Sequence, residues 1–105
     1  MPFPLKRGGL MVKLEDAKSY MMIDFNEKDN DIINFIEEAK TIIETSTGAE
    51  AEIVYNSGDE KLIHLYDIIH KIVIKNLWDE QSTSGARLTN LYIKLRAYYR
   101  KVTNG

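Results

Sequence analysis

Residues 61–78 read KLIHLYDIIHKIVIKNLW, and this stretch decides the fold. Wound as a helix at 100° per residue, its apolar side chains cover roughly three quarters of the circumference. The polar remainder is a thin strip made of His64, Asp67, Lys71 and Lys75. Such a helix cannot lie on the surface of a small protein, so other helices, further copies of the chain, or both must surround it. The residues expected to make core or ring contacts are Ile68, Ile74 and Trp78.

Three further helical patterns flank this stretch, which predicts an all-α bundle of about four helices. The first is short and covers residues 14–21, with apolar residues at i, i+3 and i+7. The second covers residues 28–45 and carries one apolar stripe about 120° wide. The last covers residues 86–102, where leucines, tyrosines and a valine share one side.

Local signals place the helix ends. Asn26 is the expected N-cap of the second helix, and Gly48 is its expected stop. Ser57 and Glu60 have the spacing of a capping box, so we expect Ser57 to open the central helix, which then ends near Gln81. Residues 49–56 are ambiguous, and for residues 52–55 we expect a short extended piece or loop rather than another turn of helix.

Composition sets limits on the class of protein. The 105 residues amount to one domain, and there is no cysteine to form a disulfide, a thiolate nucleophile or a thiolate metal site. No apolar run reaches the roughly 18 residues of a membrane span. Residues 1–10, with two prolines and a glycine pair, predict a flexible N-terminal arm before a single helical domain over residues 11–105.

The charge is distributed unevenly along the chain. Residues 14–60 hold thirteen acids and three lysines, whereas residues 81–105 hold five bases and no acid. Two interpretations remain open. The halves are either two solvated faces, or complementary surfaces that meet between subunits or partners.

No catalytic or metal-binding pattern emerges from the residue spacing. His64 and His70 are six residues apart, about 120° around the helix, whereas a helical pair of zinc ligands needs a spacing of three or four. We therefore expect His70 to be a core or interface histidine. Adjacent carboxylates such as Glu37 and Glu38 point about 100° apart and do not converge on one substrate. We expect a protein that is not an enzyme and that uses no cofactor.

The C-terminal helix interleaves bases with tyrosines and is the main candidate for a binding surface. One alternative is that Tyr92, Tyr98 and Tyr99 cover the core while the bases are solvated. We favour this over nucleic-acid binding because the pI of the chain, about 5.7, is acidic. Protein docking suits the same residues, since tyrosine and arginine are favoured interface anchors.

Two segments resemble the small head–tail connector proteins (adaptor or head-completion proteins) of tailed bacteriophages. The first is MVKLEDAKSYMMID at residues 11–24, followed by an acidic turn and a long helix ending at Thr47-Gly48. The second is the apolar helix that closes at Leu77-Trp78, followed by a loop and a helix ending in Tyr98-Tyr99-Arg100. The family usually has a Thr or Ser cap where this chain has Lys13.

The resemblance implies a structural subunit of the virion that is made in the host cytoplasm. Such proteins form a ring, commonly twelvefold, beneath the portal after DNA packaging. The ring extends the DNA channel and joins the head to the next completion protein or to the tail. The implied partners are further copies of the chain, the portal protein, and that next protein. Packaged DNA only passes through the channel, and no membrane is involved.

On this resemblance we expect the C-terminal helix to dock on an acidic surface of the portal. The residues expected to dock are Arg87, Lys94, Arg96, Tyr98, Tyr99, Arg100 and Lys101. The residues expected to face the channel, where repulsion would keep DNA from sticking, are Glu37, Glu38 and Glu44.

Two rival functions remain. A helix-turn-helix DNA-binding packaging or regulatory protein would use the last helix, with Arg87, Asn90 and Lys94 reaching bases. A plain helical dimerisation module would need no portal at all.

Overall fold

The computed structural model describes residues 11–104, so the predicted arm of residues 1–10 lies outside the described residues, as does Gly105. The described residues fold into five helices without a strand. They are α1 (Leu14–Met21), α2 (Asp29–Thr47), α3 (Ala51–Asn56), α4 (Glu60–Trp78) and α5 (Ala86–Asn104). This confirms the predicted all-α bundle. Within residues 11–104, no helix has the length and hydropathy needed to cross a bilayer.

The apolar helix α4 lies at the centre and packs against each of the other four helices. Its buried residues are Leu62, Ile63, Tyr66, Ile69, His70, Ile72, Val73 and Ile74. A single copy therefore covers most of the helix. Of the predicted core or ring contacts, Ile74 is a core contact, since it is 1% exposed. Trp78 is partly buried against the core, and Ile68 is exposed at 38%.

Helix α2 lies against α4 through the stripe that its sequence predicts. Ile32, Ile36, Ala39 and Ile43 are buried on it. The helix ends at Gly48, whose φ of +80° is the left-handed conformation that favours glycine.

The predicted N-cap of α2 is wrong. The helix begins at Asp29, and no side chain caps it at Lys28. The side-chain oxygen of Asn26 instead accepts a 2.7 Å hydrogen bond from Lys18 Nζ. Lys18 Nζ also lies 2.7 Å from Asp29 Oδ1, so one lysine joins the end of α1 to the start of α2.

Helix α3 corrects the expectation of an extended segment over residues 52–55. Val54 and Tyr55 are buried against the core, and the Tyr55 hydroxyl donates a hydrogen bond to the Asp67 carboxylate of α4. Side chains such as Ile53, Val54 and Tyr55 favour strands. Their burial against α4 outweighs that local preference.

The start of α4 also differs from the prediction. Asp59 is the N-cap, and its carboxylate accepts a 2.9 Å hydrogen bond from the Leu62 N–H. Ser57 closes α3 instead, because its hydroxyl donates to the Val54 carbonyl at 2.6 Å and accepts from the Asp59 N–H at 3.1 Å. At the start of α1 the N-cap Lys13 has no capping side-chain oxygen. The Asp16 carboxylate instead accepts a 2.9 Å hydrogen bond from the Lys13 N–H.

Helix α5 completes the bundle against α2 and α4. Leu88, Tyr92 and Leu95 are buried, and Tyr98 and Tyr99 pack partly buried against the core. This confirms the predicted apolar side. The Arg96 guanidinium donates a 3.0 Å hydrogen bond to the Ser46 carbonyl, which fixes one flank of α5 beside the last turn of α2.

Candidate interaction surfaces

The first surface is a row of three cations along α5, here called the basic row: Arg87, Lys94 and Lys101. All three are exposed, and successive members are seven residues apart. Seven residues are almost two helical turns, so the cations follow one line at intervals of about 10.5 Å. No acid occurs anywhere in residues 81–105 to neutralise them within that segment.

The other predicted docking residues lie elsewhere on α5. Arg96 and Arg100 are on the opposite flank, where Arg96 contacts the Ser46 carbonyl of α2. Tyr98 and Tyr99 are partly buried against the core. Lys101 Nζ lies 6.0 Å from the centre of the Tyr98 ring, at the outer limit of a cation–π contact. The structure therefore divides the predicted docking set between two flanks of one helix.

Between these flanks, the outer face of α5 is uncharged. By helical spacing it carries Asn90, Ile93 and Ala97, all of them exposed. Ile93 is 57% exposed, more than any other isoleucine among residues 11–104. The outer face thus offers a small apolar centre between two basic edges.

The second surface is an acidic groove of about 380 Å³ between α2 and the start of α3. Its lining residues are Met11, Glu37, Lys40, Thr41, Glu44, Glu50, Ala51 and Glu52. Four carboxylates thus face one ammonium, and Lys40 Nζ lies 3.1 Å from Glu37 Oε2. The groove keeps an excess of negative charge after that ion pair is counted.

Only two of the three residues predicted to face the channel line the groove. Glu37 and Glu44 line it together because they are seven residues apart on α2. Glu38 is exposed but does not line the groove, since the residue after Glu37 points about 100° away. Sequence reasoning missed Glu50 and Glu52, because they join the groove only through the unexpected helix α3.

Helix α5 and the acidic groove lie on different sides of α2. Ser46, which holds Arg96 of α5, is nine residues from Glu37 and two from Glu44. At 100° per residue, these spacings place Ser46 about 180° and 200° around the helix from the two glutamates. The basic row is on the flank of α5 opposite Arg96, so within one copy it lies away from the groove.

Beneath the groove, the rings of Tyr55, Tyr66 and His70 are buried in a row. The Tyr55 and Tyr66 ring centres are 5.7 Å apart, and those of Tyr66 and His70 are 5.6 Å apart. His70 Nε2 contacts the Ile36 carbonyl at 3.0 Å, which makes Nε2 the protonated nitrogen. Burial lowers the pKa of His70 below its usual value, so the ring is neutral at pH 7.

Two atoms of this row have no hydrogen-bond partner among residues 11–104: the Tyr66 hydroxyl oxygen and His70 Nδ1. Burial also raises the pKa of Tyr66, with Glu44 as the next cause. His70 is thus a core histidine, as expected. In the described part of the chain, no three His, Asp or Glu side chains converge to hold a metal ion.

No family model, no curated protein and no solved structure matches this chain.

Proposed function

We propose that this chain is a structural head–tail connector subunit of a tailed bacteriophage, not an enzyme. It forms a ring beneath the portal, extends the DNA channel, and joins the head to the next completion protein or to the tail. The observation that carries the proposal is that one small chain bears two unlike, oppositely charged surfaces on different sides of α2.

Unlike surfaces are what a ring subunit needs. In a cyclic assembly each copy meets its neighbours through two different faces, whereas a twofold dimer uses one face twice. The bundle also covers its own central helix, with Ile69 and Ile74 buried. A ring built from such subunits relies on polar edges and so assembles on a template, which is the role of the portal here.

Docking on the portal falls to α5. Arg96 and Arg100 form one basic edge. Tyr99 lies between this edge and the core and is partly buried. An acidic portal surface would meet this edge, and electrostatic complementarity would fix the register of the ring. The negative charge of Glu38, which lies outside the groove, would keep DNA from adhering to the subunit.

The test is genetic and uses a phage or prophage that encodes the chain. Disruption of the gene is expected to give DNA-filled heads that lack tails and lose DNA, as seen by electron microscopy and nuclease sensitivity. The wild-type gene restores tailed particles. Arg100→Glu is expected not to restore them, whereas Lys61→Glu, the same charge change on an exposed residue of α4, restores them. Tailed, infectious particles in the absence of the gene would refute the proposal.

A DNA-binding function is the second candidate, because Arg87, Asn90 and Lys94 share an exposed face of α5. Two features count against it. Residues 79–85 separate α4 from α5, and this connection is longer than the three or four residues of a helix-turn-helix. Helix α4 is also buried in the core. A gel shift with duplex DNA decides: tight, steeply salt-dependent binding favours the rival, whereas the connector shows little affinity.

A further inference from the structure

The basic row and the acidic groove have the same spacing. Arg87, Lys94 and Lys101 repeat every seven residues on α5, and Glu37 and Glu44 are seven residues apart on α2. Each interval corresponds to about 10.5 Å along its helix. Two helices laid side by side can therefore place two consecutive cations against both carboxylates at once. Paired charges at this repeat set partner choice in coiled coils.

From this match we propose that the basic row of one copy binds the acidic groove of the next copy. The inference rests on the proposed ring and names the contact between its subunits. It assigns the two flanks of α5 to different partners: Arg87, Lys94 and Lys101 to the neighbouring copy, and Arg96 and Arg100 to the portal.

The groove suits long basic side chains. Met11 and Ala51 offer apolar surface to the methylene stems of lysine or arginine, while the glutamates lie beside the charged ends. Lys40 already pairs with Glu37 at 3.1 Å, so Glu44 is the stronger partner for an incoming cation. Lys94, at the middle of the row, is then the natural partner of Glu44.

The contact is heterologous, so it propagates. Because the groove and α5 lie on different sides of α2, each copy that fills one groove still offers its own groove to another copy. Such contacts close into rings or run on as filaments. Each contact relies on exposed ion pairs, so assembly of the free chain is expected to be weak and to disappear at high salt.

Cross-linking tests the geometry directly, since the chain has no cysteine. The double variant Thr41→Cys with Asn90→Cys leaves every charge of the groove and of the basic row in place, and it is treated with a short bis-maleimide at high protein concentration and low salt. The expected product is a ladder of dimers, trimers and larger species on a denaturing gel. Either single variant gives at most a dimer. A double variant that stays monomeric, or stops at the dimer, overturns the proposal.

Charge reversal in the chain without added cysteines provides a second test. Glu44→Lys is expected to weaken self-association at least tenfold in sedimentation velocity at about 50 mM salt, where surface charges act over more than 10 Å. Glu38→Lys makes the same charge change next to the groove without lining it and leaves association unchanged. The double variant Glu44→Lys with Lys94→Glu is expected to restore association. Equal effects of Glu44→Lys and Glu38→Lys, or no rescue, contradict the proposed contact.

The two proposals can fail separately. If gene disruption abolishes tail joining but the cross-linked ladder is absent, the connector function stands and the named contact is wrong. If the ladder forms but tailed particles do not need the gene, the chain self-assembles for another purpose.

Discussion

Helices α4 and α5 are each 19 residues long, yet they relate to solvent in opposite ways. Helix α4 has eight buried residues and is surrounded by the rest of the chain, whereas α5 has three and keeps an open outer face. Helix α4 therefore determines the stability of the fold, and α5 supplies a surface that stability does not require. The separation lets α5 carry five cations and no acid without weakening the core.

The largest expected effect comes from the buried side of α4. Ile69→Ala leaves a cavity at a position that is 0% exposed, so we expect the free energy of unfolding to fall by about 2–5 kcal/mol. Ile68→Ala, one residue away and 38% exposed, is the control and should cost less than about 1 kcal/mol. Urea denaturation of the purified variants measures both. Equal losses would mean that Ile68 is also covered, as it would be if a further copy of the chain packed on α4.

The sequence predicted the helices whose signals are local. The bounds of α1, the start of α5 and the stop at Gly48 follow from periodicity and from glycine conformation. Helix α3 could not be predicted from local signals. Its residues favour strands, and burial against α4 and the Tyr55–Asp67 hydrogen bond keep them helical. Helix α3 also supplies part of the cover that α4 receives within one copy.

The candidate surfaces were predictable only in part, for the same reason. The basic row and the spacing of Glu37 and Glu44 can be read from the sequence. The acidic groove cannot, since Glu50 and Glu52 reach it through α3. The cap of α4 shows how two overlapping motifs compete: Ser57 and Asp59 are both good N-caps, and Ser57 is already engaged by the Val54 carbonyl at the end of α3.

The next largest effect tests the bond that holds α3 on α4. Tyr55→Phe removes the hydroxyl that donates to Asp67, a half-buried carboxylate, and should cost about 1–3 kcal/mol at pH 7. Tyr20→Phe, on a residue 43% exposed, is the matched control and should change stability by less than about 0.5 kcal/mol. Urea midpoints of the two variants are compared with the wild type. A neutral Tyr55→Phe would show that burial of Val54 and Tyr55 alone keeps α3 helical.

The Asp67 carboxyl adds a pH dependence to that cost. Burial raises its pKa in the folded chain, while the Tyr55 hydrogen bond acts in the opposite direction by stabilising the charged form. Removing the hydroxyl therefore penalises folding most when Asp67 is ionised. The cost of Tyr55→Phe should shrink as the pH falls from 7 toward 4, and a constant cost across this range would contradict the assignment.

A smaller effect is the pH dependence of stability that the buried His70 contributes and an exposed histidine does not. Because burial lowers the pKa of His70, the unfolded chain binds this proton more readily than the folded one. Stability should therefore fall as the pH drops below about 6.5, with a slope of at most about 1.4 kcal/mol per pH unit from this one group. His70→Gln, neutral at every pH, should flatten the fall between pH 7 and pH 5. His64→Gln, in the exposed strip of the same helix, controls for loss of a histidine.

The smallest expected effect lies on the outer face of α5. Ile93 is 57% exposed, so Ile93→Ala leaves no cavity and places a better helix former in the middle of the helix. We expect the free energy of unfolding to change by less than about 0.5 kcal/mol, as for most surface substitutions. Leu95→Ala, two residues on and 0% exposed, should cost about 2–5 kcal/mol on the same helix. Thermal melts followed by circular dichroism measure both changes. If Ile93→Ala were as costly as Leu95→Ala, the outer face of α5 would belong to the core, and α5 could not serve as the open surface that contacts a partner.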